Sequence, residues 1–366
     1  MITEQNKHWF VFGHEQPKTQ LAKVLEKGAP PWRNFADTTR HTAYEFQIDE
    51  EAEQTINAAI YLRRPLLVTG DPGTGKSSLA YAITAELGLG DVLVWPITSR
   101  STLTDALYRY DAIGRLQEAN LGQRLHPQSE PKPEPQSEER QAKPIPPIEK
   151  YLTLGPLGTA LADSSEWPRV LLIDEIDKCD IDLPNDLLHI FEEGEFEIPE
   201  LSRLVDDGGD TGDNSSEHQT FAIRKYQAKE AIPVQDGVVR CHHFPIVIMT
   251  SNNEREFPAP FLRRCLHLPL KRPDEQRLAD IVAAHFDYDT PYLQTFIADV
   301  MEKERKGELV ATDQLMNAIH LARQIVLSHR DTNAGANAQE TRLTLEEEAM
   351  VMKTVMSSIR RIYHSQ

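Results

Sequence analysis

Residues 70–77 read Gly-Asp-Pro-Gly-Thr-Gly-Lys-Ser, which fits the spacing G-x-x-x-x-G-K-[ST] of a phosphate-binding loop. The apolar run Pro65–Gly70 leads into this loop and predicts a buried strand, and Lys76–Leu87 carries apolar residues at helical spacing. In that setting, main-chain N–H groups and a helix amino terminus bind phosphate. These residues therefore predict a nucleotide-binding α/β fold.

Each part of the loop has an expected role. The three glycines let the main chain turn so that successive N–H groups face a phosphate. Lys76 is expected to reach the β- and γ-phosphates, and the Ser77 hydroxyl to join the ligands of Mg²⁺. The candidate phosphate-binding residues are Gly70, Asp71, Pro72, Gly73, Thr74, Gly75, Lys76, Ser77 and Ser78.

Four further apolar runs predict buried strands. Helical patterns or long connections separate them, as expected for a parallel sheet covered on both faces. The runs are Val92–Ile97, Val170–Asp174, Pro245–Thr250 and Leu266–Leu270.

Polar residues follow two of these strands. Asp174 and Glu175 end the run at Val170, and Ser251-Asn252-Asn253 follows the run that begins at Pro245. Ligands gather at the carboxyl ends of parallel strands. We therefore expect Asp174 to hold Mg²⁺ directly or through water, and Glu175 to orient and polarise an attacking water. Asn252, with Asn253 as the alternative, is expected to contact the γ-phosphate and that water.

A further candidate is an arginine after a short helix. Residues 260–265 read Pro-Phe-Leu-Arg-Arg-Cys and stand directly before the last predicted strand. A guanidinium there is placed to cross a subunit boundary and stabilise transferring charge in a neighbouring site. Arg264 is the residue assigned this role.

Composition excludes several classes of protein. The 366 residues carry a net charge of −18 and no run rich in Lys and Arg, which disfavours a nucleic-acid motor or an anionic-membrane binder. The three cysteines form no CxxC pair, so a disulfide framework and a structural zinc site are both unsupported. No apolar run reaches 18 residues and the start is polar, so we expect no membrane span and a cytoplasmic protein.

The organisation expected from the sequence has three parts. Residues 1–61 form a segment leading into the core, 62–270 an α/β ATPase core, and 271–366 a domain of helices alone. Insertions are expected at about 124–150 and 195–243. The first contains the proline-rich stretch 127–147, and the second contains the acidic stretch 206–217; both are expected to be solvated loops.

The motifs GDPGTGKS, VLLIDEID, MTSNN and FLRRC, in this order, resemble those of an AAA+ ATPase. Three further segments are similar to sequences of the MoxR-like branch: RYDAIGRL, LPNDLLHIFEEGEFEIPEL and IVIMTSNNEREFPAPFLRRC. The resemblance implies a five-stranded parallel sheet in the order 5-1-4-3-2, a C-terminal helical lid, and a ring, usually a hexamer. It also implies Walker A at residues 70–77, Walker B at Asp174 and Glu175, sensor 1 at Asn252 and an arginine finger at Arg264.

One lid residue departs from that pattern. Many AAA+ lids carry an arginine near the start of a late helix, where this chain places Asp313. Arg323 is a distant substitute, so no sensor 2 residue is assigned.

The resemblance implies an ATP-driven remodeller or chaperone of a protein partner, and it suggests a von Willebrand factor A-domain protein as that partner. The alternative is a nucleotide-controlled switch in a bacterial stress or conflict (anti-phage) system, and a nucleic-acid motor is less favoured. The N-K-x-D motif of GTP-specific proteins is absent from the sequence, so ATP with Mg²⁺ is the expected nucleotide.

Overall fold

The computed structural model describes most of the central part of the chain and scattered residues towards its carboxyl end. The described residues are 11, 15–26, 48–124, 146–208, 218–272, 274, 276–280, 298, 314–317, 319–321 and 324. The chain divides into two compact units. The first comprises Ile48–Gly70 and Ile83–Leu270, and the second comprises Met1–Gln47, Asp71–Ala82 and Lys271–Gln366.

All of the described strands lie in the first unit. The strands are β1 (Leu66–Thr69), β2 (Leu93–Pro96), β3 (Tyr108–Tyr110), β4 (Leu152–Leu154), β5 (Val170–Asp174), β6 (Glu195–Glu197), β7 (Thr220–Arg224), β8 (Ala231–Gln235), β9 (Val238–Arg240), β10 (Ile246–Ser251) and β11 (Leu266–Pro269). The α-helices with described bounds are α1 (Pro17–Glu26), α2 (Glu50–Leu62), α3 (Ser78–Glu86), α4 (Leu103–Leu107), α5 (Ala112–Arg124), α6 (Pro156–Ala162), α7 (Leu183–Glu193), α8 (Pro199–Gly208) and α9 (Ala259–Leu262).

The main sheet has five parallel strands in the order β11-β1-β10-β5-β2, which is 5-1-4-3-2 when they are counted along the chain. All four residues of β1 and the first four of β5 are buried. Such strands are apolar throughout because helices or a second layer cover both faces. The five predicted strands and their parallel pairing are thereby confirmed.

A second sheet has six strands in the order β3-β4-β7-β8-β9-β6. Strands β6 to β9 lie in the second expected insertion, whereas β3 and β4 lie on either side of the first. In β7 and β8 every second residue is buried, with Phe221 and Ile223 facing the core from β7. A two-residue turn, Asp236-Gly237, joins β8 to β9 with φ of 53° and 75°. Positive φ at both turn positions matches the right-handed twist of a hairpin and favours Asp-Gly.

One continuous apolar core joins the two sheets, and α6 contacts both of them. Two glycines permit this approach. A Cβ at Gly155 would stand 2.3 Å from the carbonyl oxygen of Ala106, and one at Gly158 would stand 1.9 Å from that of Leu107. Both distances are far below van der Waals contact, so α6 can pack here only with glycine at these positions.

Helix α2 leads into β1. Asp49 caps its amino terminus by accepting a hydrogen bond of 2.8 Å from the N–H of Ala52, and three glutamates stand in the first turn. Ala52, Ile56 and Ala59 form its buried face. The end of the expected leading segment, residues 1–61, is therefore a helix that packs on the core.

Several predicted features fall beyond the described residues. The proline-rich stretch between residues 125 and 145, the acidic loop at 209–217 and most of the predicted lid, with Asp313 and Arg323, lie outside them. Within the lid region residues 276–280 and 314–317 are helical. In the described part of the chain no helix combines the length and apolar character needed to span a membrane.

Candidate nucleotide-binding site

The glycine-rich loop folds back on itself at Asp71. Its carbonyl oxygen accepts hydrogen bonds from the Thr74 N–H at 3.4 Å, the Thr74 hydroxyl at 2.9 Å and the Lys76 ammonium at 2.8 Å. Gly73 and Gly75 have φ of 81° and 83°, which side chains with a Cβ adopt at a cost. The glycine spacing therefore produces a tight turn with the lysine ammonium held against it.

Helix α3 begins at Ser78, directly after Ser77, rather than at the predicted Lys76. The carbonyl oxygen of Asp71 orders the start of the loop, whereas the Asp71 carboxylate forms an ion pair of 2.7 Å with Arg272 Nε. Sequence reasoning missed Arg272, which stands some 200 residues away along the chain. Only the structure brings this arginine to the loop.

In the first unit, three neighbouring strands end at one edge of the main sheet. In the register of the strands, Thr69 of β1 pairs with Ser251 of β10, and Met249 of β10 pairs with Ile173 of β5. Because the strands are parallel, Asp174, Glu175 and Asn252 come together at this carboxyl edge. Gly70 continues the chain from β1 at the same edge.

Thr250 joins the ends of β10 and β5. Its hydroxyl donates to Asp174 Oδ1 at 2.7 Å and accepts from the N–H of Glu175 at 2.8 Å. The side chain is buried, with 1% of its residue surface exposed. One hydroxyl therefore contacts both residues of the predicted carboxylate pair.

Asp177 forms a second bridge between the same two segments. It lies in the 3₁₀ turn Ile176–Lys178, and its Oδ2 accepts from the N–H of Asn252 at 2.7 Å and of Glu254 at 3.2 Å. The residue is 5% exposed, and its Oδ1 has no hydrogen-bond partner within the described part of the chain. The loop that carries Asn252 is thus tied to the turn that follows Glu175.

Glu175 has an unusual main-chain conformation for a residue with a side chain. Its φ of 60° and ψ of 50° are left-handed, a conformation that costs on the order of 1 kcal/mol. Its carboxylate is about half exposed and forms an ion pair of 2.6 Å with Lys178 Nζ, three residues on. The hydrogen bond to Glu175 raises the pKa of Lys178 above its ordinary value.

Asn252 and Asn253 are held differently. The N–H of Asn252 donates to Asp177, whereas Asn253 has a left-handed φ of 60° and its N–H donates to the Ser251 hydroxyl at 3.0 Å. Asn252 follows directly from β10 and is therefore the nearer of the two to the strand edge.

Arg264 contacts other partners. It follows α9, and its Nε donates to Glu192 Oε1 of α7, while Nη1 donates to the carbonyl oxygen of Pro260 at 3.2 Å. The hydrogen bond from Arg264 lowers the pKa of Glu192. The predicted finger is thus ion-paired within its own chain, with 38% of its side chain exposed.

The donors expected to hold Mg²⁺ are the Ser77 hydroxyl and the Asp174 carboxylate. Both offer hard oxygen atoms, which suit a cation that keeps several waters and binds through one or two protein groups and phosphate. Among the described residues no group of three His, Cys, Asp or Glu side chains is arranged to hold a metal ion. Each donor by itself is of the kind that a Mg²⁺ ion bound together with a nucleotide takes.

The model of one protein family, AAA domain (dynein-related subfamily), matches residues 65–265, which is more than half of the chain. The chain belongs to this AAA domain family. The match begins just before β1 and ends just before β11, so it includes the glycine-rich loop, both carboxylates and Arg264. No curated protein matches the chain.

Membership supports ATP binding and hydrolysis for this AAA domain, because the family generally hydrolyses ATP, typically with Mg²⁺. AAA domains also often assemble into oligomeric rings. Three of the residues that the strand ends predicted, Asp174, Glu175 and Asn252, share one edge of the main sheet. Thr250 and Asp177, which connect them, were missed.

Thr250 is a polar residue at the end of an apolar run, but the sequence does not show which groups its hydroxyl contacts. Asp177 is the second acidic residue after Asp174, and the sequence alone does not distinguish it from a solvated turn. In the structure Asp177 is buried and accepts two main-chain N–H groups, which a solvated turn residue does not do.

Proposed function

We propose that this chain is a MoxR-like AAA+ ATPase that assembles into a ring, usually of six subunits, and uses ATP to remodel a protein partner. The observation that carries the ATPase part is the Asp174–Glu175 pair, fixed by the buried Thr250 at the edge where β1 continues into the glycine-rich loop. The MoxR-like resemblance supports the remodelling part and favours a von Willebrand factor A-domain protein as the partner.

In this proposal the glycine-rich loop, residues 70–78, binds the phosphates of ATP, with Lys76 as the principal positive charge. Mg²⁺, held through Ser77 and Asp174, would neutralise charge on the β- and γ-phosphates. Glu175 takes the proton of the attacking water at a carboxylate oxygen. Asn252 orients that water.

Arg264 is proposed to act in the site of the neighbouring subunit, as an arginine finger does. Its position on the surface of the first unit, half exposed after α9, is compatible with such a role. In the free chain Glu192 holds it, so assembly has to exchange this ion pair for contact with nucleotide.

The ATPase part is tested with two substitutions and a matched control. Glu175→Gln should retain ATP and lose hydrolysis, and Lys76→Ala should lose ATP binding, measured with a fluorescent ATP analogue and by phosphate release. Glu195→Gln is the control, because Glu195 is also an exposed glutamate in an ion pair, at 3.1 Å from Arg240. Equal hydrolysis by wild type and Glu175→Gln would contradict the proposal.

One observation favours the second candidate, a slow nucleotide-controlled switch in a stress or anti-phage system. The Glu175 carboxylate is engaged by Lys178, and this ion pair has to open before the carboxylate can take a proton. A switch that hydrolyses ATP slowly tolerates such a delay more easily than an ATP-driven remodeller does.

The two functions assign opposite phenotypes to Glu175→Gln. A remodeller locked with ATP should trap its partner without changing the partner's state, and should fail in cells as Lys76→Ala does. A switch needs only the ATP-bound conformation, so its Glu175→Gln form should be active. Mass analysis of what co-purifies with the ATP-locked form would also identify the partner.

A further inference from the structure

Two buried side chains tie the end of β10 to the turn after β5, and neither is among the residues assigned above to the nucleotide, Mg²⁺ or the attacking water. Thr250 contacts Asp174 and Glu175, and Asp177 contacts the main chain of Asn252 and Glu254. We call these four hydrogen bonds the β5–β10 bridge. Each residue predicted to act on the attacking water or on Mg²⁺ at this edge is held by one of them.

The Thr250 hydroxyl uses its hydrogen and a lone pair in opposite directions. The hydrogen goes to Asp174 Oδ1, and the lone pair receives the N–H of Glu175. A carboxylate has acceptor sites on both oxygens, so fixing Oδ1 sets the direction in which Oδ2 points. The second hydrogen bond helps to hold Glu175 in its left-handed conformation, which an unsupported chain would seldom adopt.

Asp177 acts on the neighbouring segment in a similar way. A buried carboxylate that accepts two main-chain N–H groups forms strong, charge-assisted hydrogen bonds. These bonds determine where the chain leaves β10 and therefore where the Asn252 side chain starts. They link this loop to a turn that begins at Glu175 itself.

We propose that Thr250 and Asp177 are positioning residues for ATP hydrolysis: the β5–β10 bridge holds Asp174, Glu175 and Asn252 in one arrangement. This inference rests on the proposed ATPase function. The fold alone does not require the bridge, since β10 and β5 already pair through main-chain hydrogen bonds from Ile246 to Met249. The bridge begins where that pairing stops.

The decisive variant is Thr250→Val, which keeps the shape of the side chain and removes the hydroxyl. Thr159→Val is the matched control, because Thr159 is also 1% exposed and its hydroxyl accepts a main-chain N–H, that of Tyr226, at 2.9 Å. Both variants lose one buried hydroxyl and leave one N–H without its partner. Only Thr250→Val removes a contact with the predicted hydrolytic residues.

We expect Thr250→Val to lower kcat about tenfold to a hundredfold, as losing a partner of a metal-binding or catalytic group does. Its dissociation constant for a nonhydrolysable ATP analogue should stay within about threefold of wild type. Thr250→Ser keeps the hydroxyl and should recover most of the rate. Thr159→Val should keep the wild-type kcat at a similar loss of thermal stability.

Amide hydrogen exchange gives a readout that is independent of turnover. In nucleotide-free protein, Thr250→Val should speed exchange at the N–H of Glu175, and Asp177→Ala should speed it at Asn252 and Glu254. Asp177→Asn keeps a carbonyl oxygen and should exchange more slowly at these positions than Asp177→Ala. The second residue thus tests the bridge even where Thr250→Val fails to fold.

The outcomes separate this inference from the function on which it rests. If Glu175→Gln loses hydrolysis while Thr250→Val keeps the wild-type kcat, the ATPase assignment stands and the positioning role is wrong. Equal losses of kcat in Thr250→Val and Thr159→Val would also overturn it, since both would then reflect stability. If the wild type itself hydrolyses no ATP, the proposed function fails first.

Discussion

The ion pair between Arg264 and Glu192 leads to a prediction about how readily Arg264, the proposed arginine finger, is released. Arg264 Nε donates to Glu192 Oε1, and the two side chains are 38% and 49% exposed. Arg264 also donates to the carbonyl oxygen of Pro260, on its own helix. Glu192→Gln removes the charge of the partner and leaves α7 and α9 otherwise unchanged.

The magnitude follows from this exposure. An ion pair between exposed side chains shifts an equilibrium by about one- to fivefold, because water and salt screen it. The contact with Pro260 persists in the variant and limits the gain further. We therefore expect Glu192→Gln to raise ATP turnover of the assembled protein by at most about fivefold, whereas Arg264→Ala should lower it about a thousandfold.

The assay is steady-state phosphate release at a protein concentration where assembly is complete, in low and in high salt. The advantage of Glu192→Gln should disappear in high salt, because the wild-type ion pair is then already screened. Arg263→Ala is the control for the proposed finger, since the described hydrogen bonds of Arg263 are made by its main chain. Its carbonyl oxygen accepts from Arg64 Nη1 at 3.4 Å, and its N–H donates to the carbonyl oxygen of Ala259 at 3.1 Å. Mixing Arg264→Ala with Lys76→Ala subunits should restore part of the activity.

The pH dependence of the ion pair between Glu192 and Arg264 has a definite sign. The hydrogen bond from Arg264 holds the pKa of Glu192 below its ordinary value of 4.5, so the ion pair is complete above that pH and is lost only as pH falls through the lowered pKa. The ratio of Glu192→Gln to wild-type turnover should thus be constant between about pH 6 and 8. If Arg264→Ala hydrolyses ATP at the wild-type rate, the proposed role of Arg264 is wrong. It is also wrong if the mixture of Arg264→Ala and Lys76→Ala subunits is no more active than either variant alone.

Two further predictions concern the Glu175 ion pair and the packing of α6. Lys178→Met should raise kcat, because the Glu175 carboxylate no longer has to leave its ion pair of 2.6 Å, and a rate equal to or below wild type in phosphate release would contradict this. Gly158→Ala should destabilise the fold by about 3 kcal/mol, because the new Cβ would stand 1.9 Å from the carbonyl oxygen of Leu107. Gly90→Ala is its control in denaturant unfolding, since the nearest atom to a Cβ there is 4.0 Å away, and equal stability of the two variants would show that α6 can shift.

The main sheet could be predicted because each of its strands can be recognised in the sequence alone. Parallel strands buried on both faces are continuous apolar runs, and the five runs from Pro65 to Leu270 correspond to β1, β2, β5, β10 and β11. Their bounds shift by no more than one residue at any end, as expected where a strand continues into a turn.

The second sheet was harder to predict for a physical reason. Four of its strands, β3, β4, β6 and β9, have three residues each, too few to show a period. Its pairing is also distant along the chain, since Thr153 of β4 pairs with Arg224 of β7. The alternation in β7 and β8 was present in the sequence, but nothing local indicates which strand lies beside it.

The candidate site shows the same limit at the scale of single residues. Asp174, Glu175 and Asn252 could be predicted because the ends of parallel strands meet at one edge whatever their register. Thr250 could not, because its contact with Asp174 depends on the register that pairs Met249 with Ile173. A shift of one residue would turn its hydroxyl to the other face of the sheet. The residues proposed to do the chemistry therefore follow from topology, whereas those proposed to position them follow from register, which is set by packing along the whole of β5 and β10.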